Sequence, residues 1–153
     1  PELRRQLADL YRSCGTDYLT RAAASENDPQ TRRVYESALH LTETLAQVPV
    51  LVIPCLAQRV DGAPNAFAAA AYGSIMPAAW SFMLALRARG LGSVWTTLHL
   101  FREAEAAELL GIPAHVTQVA MFPVGYVTGD RLRPAERPPV DTVVHWNRWG
   151  TTP

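Results

Sequence analysis

The feature that most constrains the fold is the alternation of helix-period segments with short apolar runs rich in β-branched residues. Between residues 2 and 127 the order is helix, helix, strand, helix, strand, helix, strand, and a Pro- and Arg-rich tail follows. Alternating helices and strands bury their apolar faces by packing as layers. The order therefore predicts a layered α/β or α+β sandwich with a short central sheet.

Periodicity predicts two helices and a strand in the first third of the chain. Apolar residues recur at helical spacing over residues 2–14, which predicts a first helix there or one that continues to Ala24. Asp28 is expected to cap the second helix, with Pro29 at its first position, where a missing N–H costs nothing. The run Val50–Ile53 is typical of a strand buried on both faces.

The middle of the chain predicts a loop at 58–66 and a long helix at 74–89 with a wide apolar stripe that includes Phe82, Met83 and Leu86. Pro77 is expected in the first turn of this helix and Gly90 at its end.

The last third predicts a short strand at 93–97, a helix at 102–110 closed by Gly111, and a strand at 116–127. The tail contains Trp146 and Trp149 but too little apolar sequence to bury itself. We expect it to wrap its own domain or to dock on another subunit.

Composition excludes several classes of protein. A chain of 153 residues fits one domain, and its 14 basic and 14 acidic residues leave no net field to attract nucleic acid or an anionic membrane. The longest apolar windows are interrupted, so no membrane-spanning helix is expected. Cys14 and Cys55 are far apart, which favours a reducing, cytoplasmic location. Because the sequence starts at Pro1 without a Met, we expect the natural protein to continue upstream.

Most candidate chemical groups have an ordinary structural interpretation. The histidines lack metal-ligand spacing, so no metal site is predicted and each is expected at the surface or at a cap. They are His40, His99, His115 and His145. Cys55 is expected to be a buried structural thiol, and the glutamates at 103–108 to form a solvated helix face. Neither a nucleophile elbow nor a phosphate-binding glycine loop is present.

Two stretches leave functional alternatives open. Trp95-Thr96-Thr97-Leu98 is either a strand end whose Trp fills the core, or a place where free backbone N–H groups meet an aromatic wall and bind a planar heteroaromatic ring. The segment 131–139 is either a stiff solvated connector or a rigid frame from which an arginine clasps a phosphate.

Three stretches resemble the nitroreductase family of flavoproteins, and the matching part covers about residues 72–149. They are Ala85-Leu86-Arg87-Ala88-Arg89-Gly90-Leu91-Gly92-Ser93-Val94-Trp95, Glu108-Leu109-Leu110-Gly111-Ile112-Pro113, and Phe122-Pro123-Val124-Gly125-Tyr126 with the later Val143-Val144-His145-Trp146-Asn147-Arg148-Trp149. The resemblance implies one α+β domain, a three-layer sandwich with a short mixed or antiparallel sheet. It also implies a homodimer with exchanged C-terminal tails and FMN at the subunit interface.

The resemblance assigns the site residue by residue. The backbone donor to the flavin N5 falls at Thr97, or at Leu98 if the register shifts by one, while Trp95 and Thr96 line the ring. The phosphate-binding arginine corresponds to Arg137, with Arg133 as a second candidate; where some relatives have a lysine, this chain has Ala135. Phe67 is expected in the loop before the long helix, tucked into the core or forming part of the acceptor pocket. The family's N-terminal phosphate-binding segment has no counterpart here.

The implied activity is an FMN-dependent oxidoreductase that takes a hydride from NAD(P)H and passes it to a nitroaromatic, a quinone or an activated alkene. No side chain is expected to act as an obligatory acid or base, because the cofactor supplies the chemistry. The alternatives are dehalogenation or oxidative flavin breakdown within the same family, and a non-enzymatic flavin-binding or storage protein.

Overall fold

The structure, a computed structural model, describes residues 1–128 and 134–152, which form helical layers on both sides of short sheets. The α-helices of these residues are α1 Glu2–Ser25, α2 Pro29–Thr44, α3 Asn65–Arg87 and α4 Glu103–Leu110. The strands are β1 Val50–Val52, β2 Cys55–Leu56, β3 Leu91–Ser93, β4 Thr117–Gln118 and β5 Phe122–Tyr126. Short 3₁₀ helices occupy Leu45–Gln47, Leu98–Arg102 and Val140–Thr142.

Both sheets are antiparallel. The larger has the strand order β1-β5-β3, with Val52 opposite Phe122 and Ser93 opposite Val124. The smaller pairs β2 with β4 and sets Cys55 opposite Gln118. This arrangement confirms the α+β fold with a short central sheet.

Residues 120–124 separate two apolar cores because successive side chains of an extended chain point to opposite faces. Met121 packs with Leu7 and Tyr11 of α1. Residues on the other face pack with Ala79 of α3. They are Ala120, Phe122 and Val124. Full burial of a side chain such as Met121 contributes roughly 1.5–3 kcal/mol, so this alternation holds helices to both faces of the sheet.

The start of α2 follows from its first residues, as the sequence predicts. The Asp28 carboxylate accepts hydrogen bonds from the Thr31 N–H at 2.7 Å and the Thr31 hydroxyl at 2.6 Å. Pro29 is the first helical residue. The hydroxyl bond, together with the N–H bond, holds the pKa of the Asp28 carboxyl below its ordinary value. The predicted cap is confirmed.

Helix α3 begins at Asn65, nine residues before the predicted start at Ser74. The alanine-rich stretch in between has high helix propensity, which the turn residues before it obscured. Pro77 therefore lies inside the helix and not in its first turn. Phe67 lies in the first turn of α3, where it is 71% exposed, so the prediction of a loop residue tucked into the core was wrong. Phe82, expected in the core, is also exposed.

The predicted strands at 93–97 and 116–127 are shorter and interrupted. β3 ends at Ser93, and the chain contacts the sheet again through an isolated bridge at Thr96. The second stretch divides because its pairing partner changes. β4 pairs with β2, the Val119 N–H donates to the Pro54 carbonyl, and β5 then lies between β1 and β3.

The face of α3 that points away from the sheet is apolar and uncovered in the single chain. By length and composition α3 is long and apolar enough to cross a membrane, and only 11% of its most apolar window of 18 residues is buried within the single chain. The expectation that no apolar helix reaches this length was wrong, because α3 begins nine residues before its predicted start. One face nevertheless packs on the protein through Ala71 and Ala79. A helix embedded singly in lipid would expose its whole circumference.

The cysteines and the tail tryptophans are both more exposed than a core position would make them. Cys14 and Cys55 are free thiols, but Cys55 is exposed and not buried as expected, because it lies on a two-residue strand of the smaller sheet. Trp146 and Trp149 of the tail are 55% and 91% exposed. The tail contacts α2 through Gln30, but neither tryptophan is buried against the described part of the chain.

Candidate functional site

The stretch 95–98 leaves the sheet at a fixed point. The Thr96 N–H donates to the Met121 carbonyl at 3.1 Å, and the Met121 N–H donates to the Thr96 carbonyl at 2.8 Å. The Thr96 hydroxyl lies 2.8 Å from the hydroxyl of Tyr11, whose pKa is raised by burial. The polar groups of Thr96 are therefore occupied within the protein. They fix the residue that follows.

Thr97 presents a free backbone donor. It immediately precedes the 3₁₀ helix Leu98–Arg102, and its carbonyl accepts the first hydrogen bond of that helix, from the Leu100 N–H at 3.0 Å. No described residue accepts the Thr97 N–H. Because the first N–H groups of a helix lack partners inside it, Leu98 lies in the same donor region. The exposed Thr97 can thus offer its N–H to a ligand acceptor.

Trp95 lies between the sheet and α3. Its ring centroid is 5.0 Å from that of Phe122, at an interplanar angle of 55°. The side chain is half-buried and joins the clusters around Ala71 and Ala79. Trp95 therefore fills part of the core while keeping some of its surface exposed, two residues before the free donor at Thr97.

The phosphate candidate Arg137 lies elsewhere on the chain. Its neighbour Glu136 is tied to the start of α2: the Glu136 N–H donates to Gln30 Oε1 at 2.8 Å, and Gln30 Nε2 donates to the Glu136 carbonyl at 3.3 Å. Arg137 is exposed and makes no ion pair with another described residue. The second candidate, Arg133, lies outside the described residues.

The distance between the two candidate subsites follows from the packing of α1 on α2. Tyr18 and Tyr35, with ring centroids 6.4 Å apart, set the antiparallel register. Gln30 is therefore opposite a point five residues after Tyr18, whereas Leu98 packs against Gly15, three residues before it. Eight residues of helix correspond to roughly 12 Å along the axis. Among the described residues, no hydrogen bond or ion pair joins Arg137 to the 95–98 stretch.

Phe67 lies on α3, and two surface grooves lie elsewhere on the chain. Phe67 lies one helical turn before Ala71, whose cluster includes Trp95. A groove of about 370 Å³ runs beside β1 and is lined by Leu3 and Val50 among others. Another, of about 330 Å³, lies between the two tyrosines that pair across α1 and α2. Neither of these two grooves is lined by residues 95–98.

His99 is buried just after the free donor. It is fully buried, and neither ring nitrogen has a hydrogen-bond partner among the described residues. The sequence prediction of a surface or capping histidine was therefore wrong. Burial lowers the pKa of His99 from 6.5 to about 4, while the Glu103 carboxylate acts in the opposite direction. The imidazole is neutral at pH 7.

Glu103, predicted to lie on a solvated helix face, is instead bound on several sides. Its Oε1 accepts from the Gln118 N–H at 2.9 Å and from Arg59 at 2.9 Å, and its Oε2 accepts from Arg59 at 3.0 Å. Partial burial raises the pKa of the Glu103 carboxyl, but the hydrogen bonds from Arg59 and Gln118 outweigh burial and hold it below its ordinary value. The prediction was wrong because Arg59 and Gln118 come from distant parts of the chain.

Comparison with known proteins identifies the family of the chain. The chain matches the sequence model of the Nitroreductase family over residues 1–126, which is most of its length. It therefore belongs to the Nitroreductase family. No curated protein matches it.

Within the described residues, no group of three or more His, Cys, Asp or Glu side chains is placed to hold a metal ion.

Solved structures share the fold at low sequence identity. One is oxidized iodotyrosine deiodinase bound to FMN and 3-iodo-L-tyrosine, with a TM-score of 0.64 and 19% identity; the match covers 97% of this chain and 72% of the deiodinase chain. Another is a BluB-like flavoprotein from Clostridium difficile 630, with a TM-score of 0.59 and 18% identity, covering 96% of this chain and 75% of the other. At these identities the similarity establishes the fold.

The buried His99 predicts an acid-dependent loss of stability. Its folded-state pKa of about 4 lies below 6.5, so the unfolded chain binds the proton more readily. The stability present above pH 6.5 should fall as the pH drops towards 4, by at most about 3 kcal/mol for this group. His99→Leu should flatten this part of the profile, measured by urea unfolding at each pH. His115→Gln, at an exposed histidine, is the control. An unchanged slope in His99→Leu would contradict the assignment.

Proposed function

We propose that this protein is an FMN-dependent oxidoreductase that moves a hydride from NAD(P)H to a nitroaromatic, a quinone or an activated alkene. The observation that carries the proposal is the free N–H of Thr97 beside half-buried Trp95, in a chain of the Nitroreductase family. Two solved structures of similar fold support it, since one is a flavoprotein and the other is bound to FMN.

The residues present fit a flavin. A flavin ring needs an apolar wall and a donor for a ring nitrogen, and Trp95 and Thr97 offer these groups two residues apart in the chain. Leu98 is the alternative donor. Thr96 supports the site through the hydrogen bonds that hold it to Met121 and Tyr11. FMN, when bound, supplies the hydride chemistry.

The protein residues contribute binding, orientation and exclusion of water. The Thr97 N–H would meet the flavin N5, and because it is a backbone donor, its position depends on the fold and not on a rotamer. His99 is the nearest histidine in sequence, but burial keeps it neutral and away from solvent. We therefore assign no side chain the role of acid or base. Phe67, one turn from the Trp95 cluster, is proposed as part of the acceptor pocket.

Reductive dehalogenation is the second candidate. It is favoured by the similarity to iodotyrosine deiodinase, whose structure is bound to FMN and to the halogenated amino acid 3-iodo-L-tyrosine. Iodide release from 3-iodo-L-tyrosine by the reduced protein tests this candidate, and release at a rate above that of free reduced FMN would favour it over quinone reduction.

The absorption spectrum of the protein tests the proposed function. Protein purified with FMN should be yellow, should lose its visible absorption on addition of NADPH or NADH, and should regain it with a quinone. A colourless protein that takes up no added FMN would contradict every flavin-based proposal. A bound flavin that neither nicotinamide cofactor reduces would instead favour non-enzymatic flavin binding or storage.

Arg137 is proposed to hold the FMN phosphate. Arg137→Ala should weaken FMN binding roughly 10- to 100-fold, because a charge-assisted hydrogen bond to phosphate is lost. Fluorescence titration of FMN measures this effect. Arg33→Ala, at another exposed arginine, should leave the affinity unchanged. Equal affinity for the Arg137 and Arg33 variants would assign the phosphate to other residues.

A second copy of the chain is proposed as the partner that covers α3. The uncovered stripe has small residues in its first half and large ones in its second half. The small residues are Ala66, Ala69, Ala70 and Gly73, and the large ones are Met76, Trp80 and Leu84. In an antiparallel pair related by a two-fold axis near Pro77, the large half of each helix meets the small half of the other. The exposed tail tryptophans suit exchange with the same partner.

The α3 pairing predicts the oligomeric state. Trp80, 57% exposed in the single chain, would lie at the interface. Trp80→Glu should convert a dimer into a monomer in sedimentation experiments, because it would bury an unpaired charge. Ala85→Glu lies on a different face of α3 and is the matched control. A monomeric wild-type protein, or one that floats with lipid vesicles, would contradict the proposed pairing.

A further inference from the structure

The stretch that carries the free Thr97 donor is fastened to one segment of chain at both of its ends. At the start, the two backbone hydrogen bonds between Thr96 and Met121 hold it. At the end, Glu103, the first residue of α4, is bound to Gln118. The two anchors on the second segment are only three residues apart.

The contact between Glu103 and Gln118 is reciprocal. The Gln118 N–H donates to Glu103 Oε1 at 2.9 Å, and Gln118 Nε2 donates to the Glu103 carbonyl at 3.0 Å. Gln118 is 2% exposed, so solvent does not compete with these bonds. One side chain thus binds the main chain of the other in both directions, which fixes the end of the 3₁₀ helix relative to β4.

Arg59 reinforces this contact from a third segment. Its guanidinium binds both Glu103 carboxylate oxygens, donates to the Val116 carbonyl at 2.8 Å and also pairs with Asp61. These interactions with Asp61 and Glu103 raise the pKa of Arg59, with Glu103 the larger contributor. The charge of the Glu103 carboxylate is compensated, so the carboxylate can serve as a fixed acceptor for Gln118.

We propose that Glu103 and Gln118 are positioning residues that set the direction of the Thr97 N–H towards the flavin. The inference rests on the proposed flavin site but concerns a separate part of the molecule. With Thr96 and Glu103 both held, the six residues from 97 to 102 between them have little freedom to shift. Release of the Glu103 end allows the 3₁₀ helix to rotate, and the donor rotates with it.

Gln118→Met tests the inference with little effect on overall stability. Methionine has a volume similar to that of glutamine but cannot donate to the Glu103 carbonyl. The substitution also removes Gln118 Oε1, a buried acceptor with no partner among the described residues, and this gain offsets part of the lost bond. Hydrogen exchange of the full chain without FMN should show the hydrogen-bonded amides at the end of the 3₁₀ helix, from Leu100 to Glu103, exchanging roughly two- to tenfold faster. The thermal midpoint and exchange elsewhere should stay unchanged.

The same variant is then measured with FMN. It should bind FMN roughly two- to tenfold more weakly than the wild type, with an altered flavin reduction potential, as expected when one hydrogen bond is misaligned. Gln6→Met makes the same change at an exposed position of α1 and should behave as the wild type. Glu103→Ala removes the acceptor of the Gln118 N–H and should weaken FMN binding in the same way. Glu103→Gln keeps an acceptor for this N–H and should bind FMN more tightly than Glu103→Ala.

The outcomes separate the two proposals. If the wild-type protein takes up no FMN, the proposed function fails. If the wild type binds FMN but Gln118→Met matches it in local exchange, affinity and reduction potential, the positioning role fails. Faster exchange throughout the chain with a lower thermal midpoint would also overturn it, because Gln118 would then be only a general stabilising residue.

Discussion

The pair of hydrogen bonds between Thr96 and Met121 supports both the fold and the candidate site. Met121 is fully buried against α1, while its neighbours Ala120 and Phe122 face α3, so the backbone at this point connects both cores. By fastening Thr96 to this strand, the bridge carries the rigidity of the interior to the next residue, Thr97. A backbone donor placed in this way needs no ordered side chain to aim it.

Local signals in the sequence predicted helices and strands well where the contacts that stabilise them are also local. Asp28 and Pro29 define the start of α2 through contacts within three residues. The start of α3 was misjudged because its alanine-rich first turns carry neither a cap nor a clear apolar period. The strand at 116–127 was recognised, but its interruption depends on three different partners, and periodicity contains no information about pairing.

The candidate site was predictable only in part, for the same reason. The Gly-Leu-Gly-Ser segment and its family resemblance pointed to Thr97. The residues that support that position did not stand out, because their partners are distant in sequence. Glu103 meets Arg59 across 44 residues, and Tyr11 meets Thr96 across 85. For His99 the signal was present but weak: it lies between two leucines, in a setting that favours burial.

A crystal structure of the protein with FMN is the most direct test of the proposed Thr97 donor. The measurement is the distance from the flavin N5 to the nearest backbone nitrogen of residues 97 and 98. We expect a hydrogen bond of about 2.7–3.2 Å from Thr97, or from Leu98 if the register differs by one. A flavin bound with N5 facing solvent or a different segment would contradict the assignment of this donor, as would an N5 more than about 3.5 Å from both nitrogens.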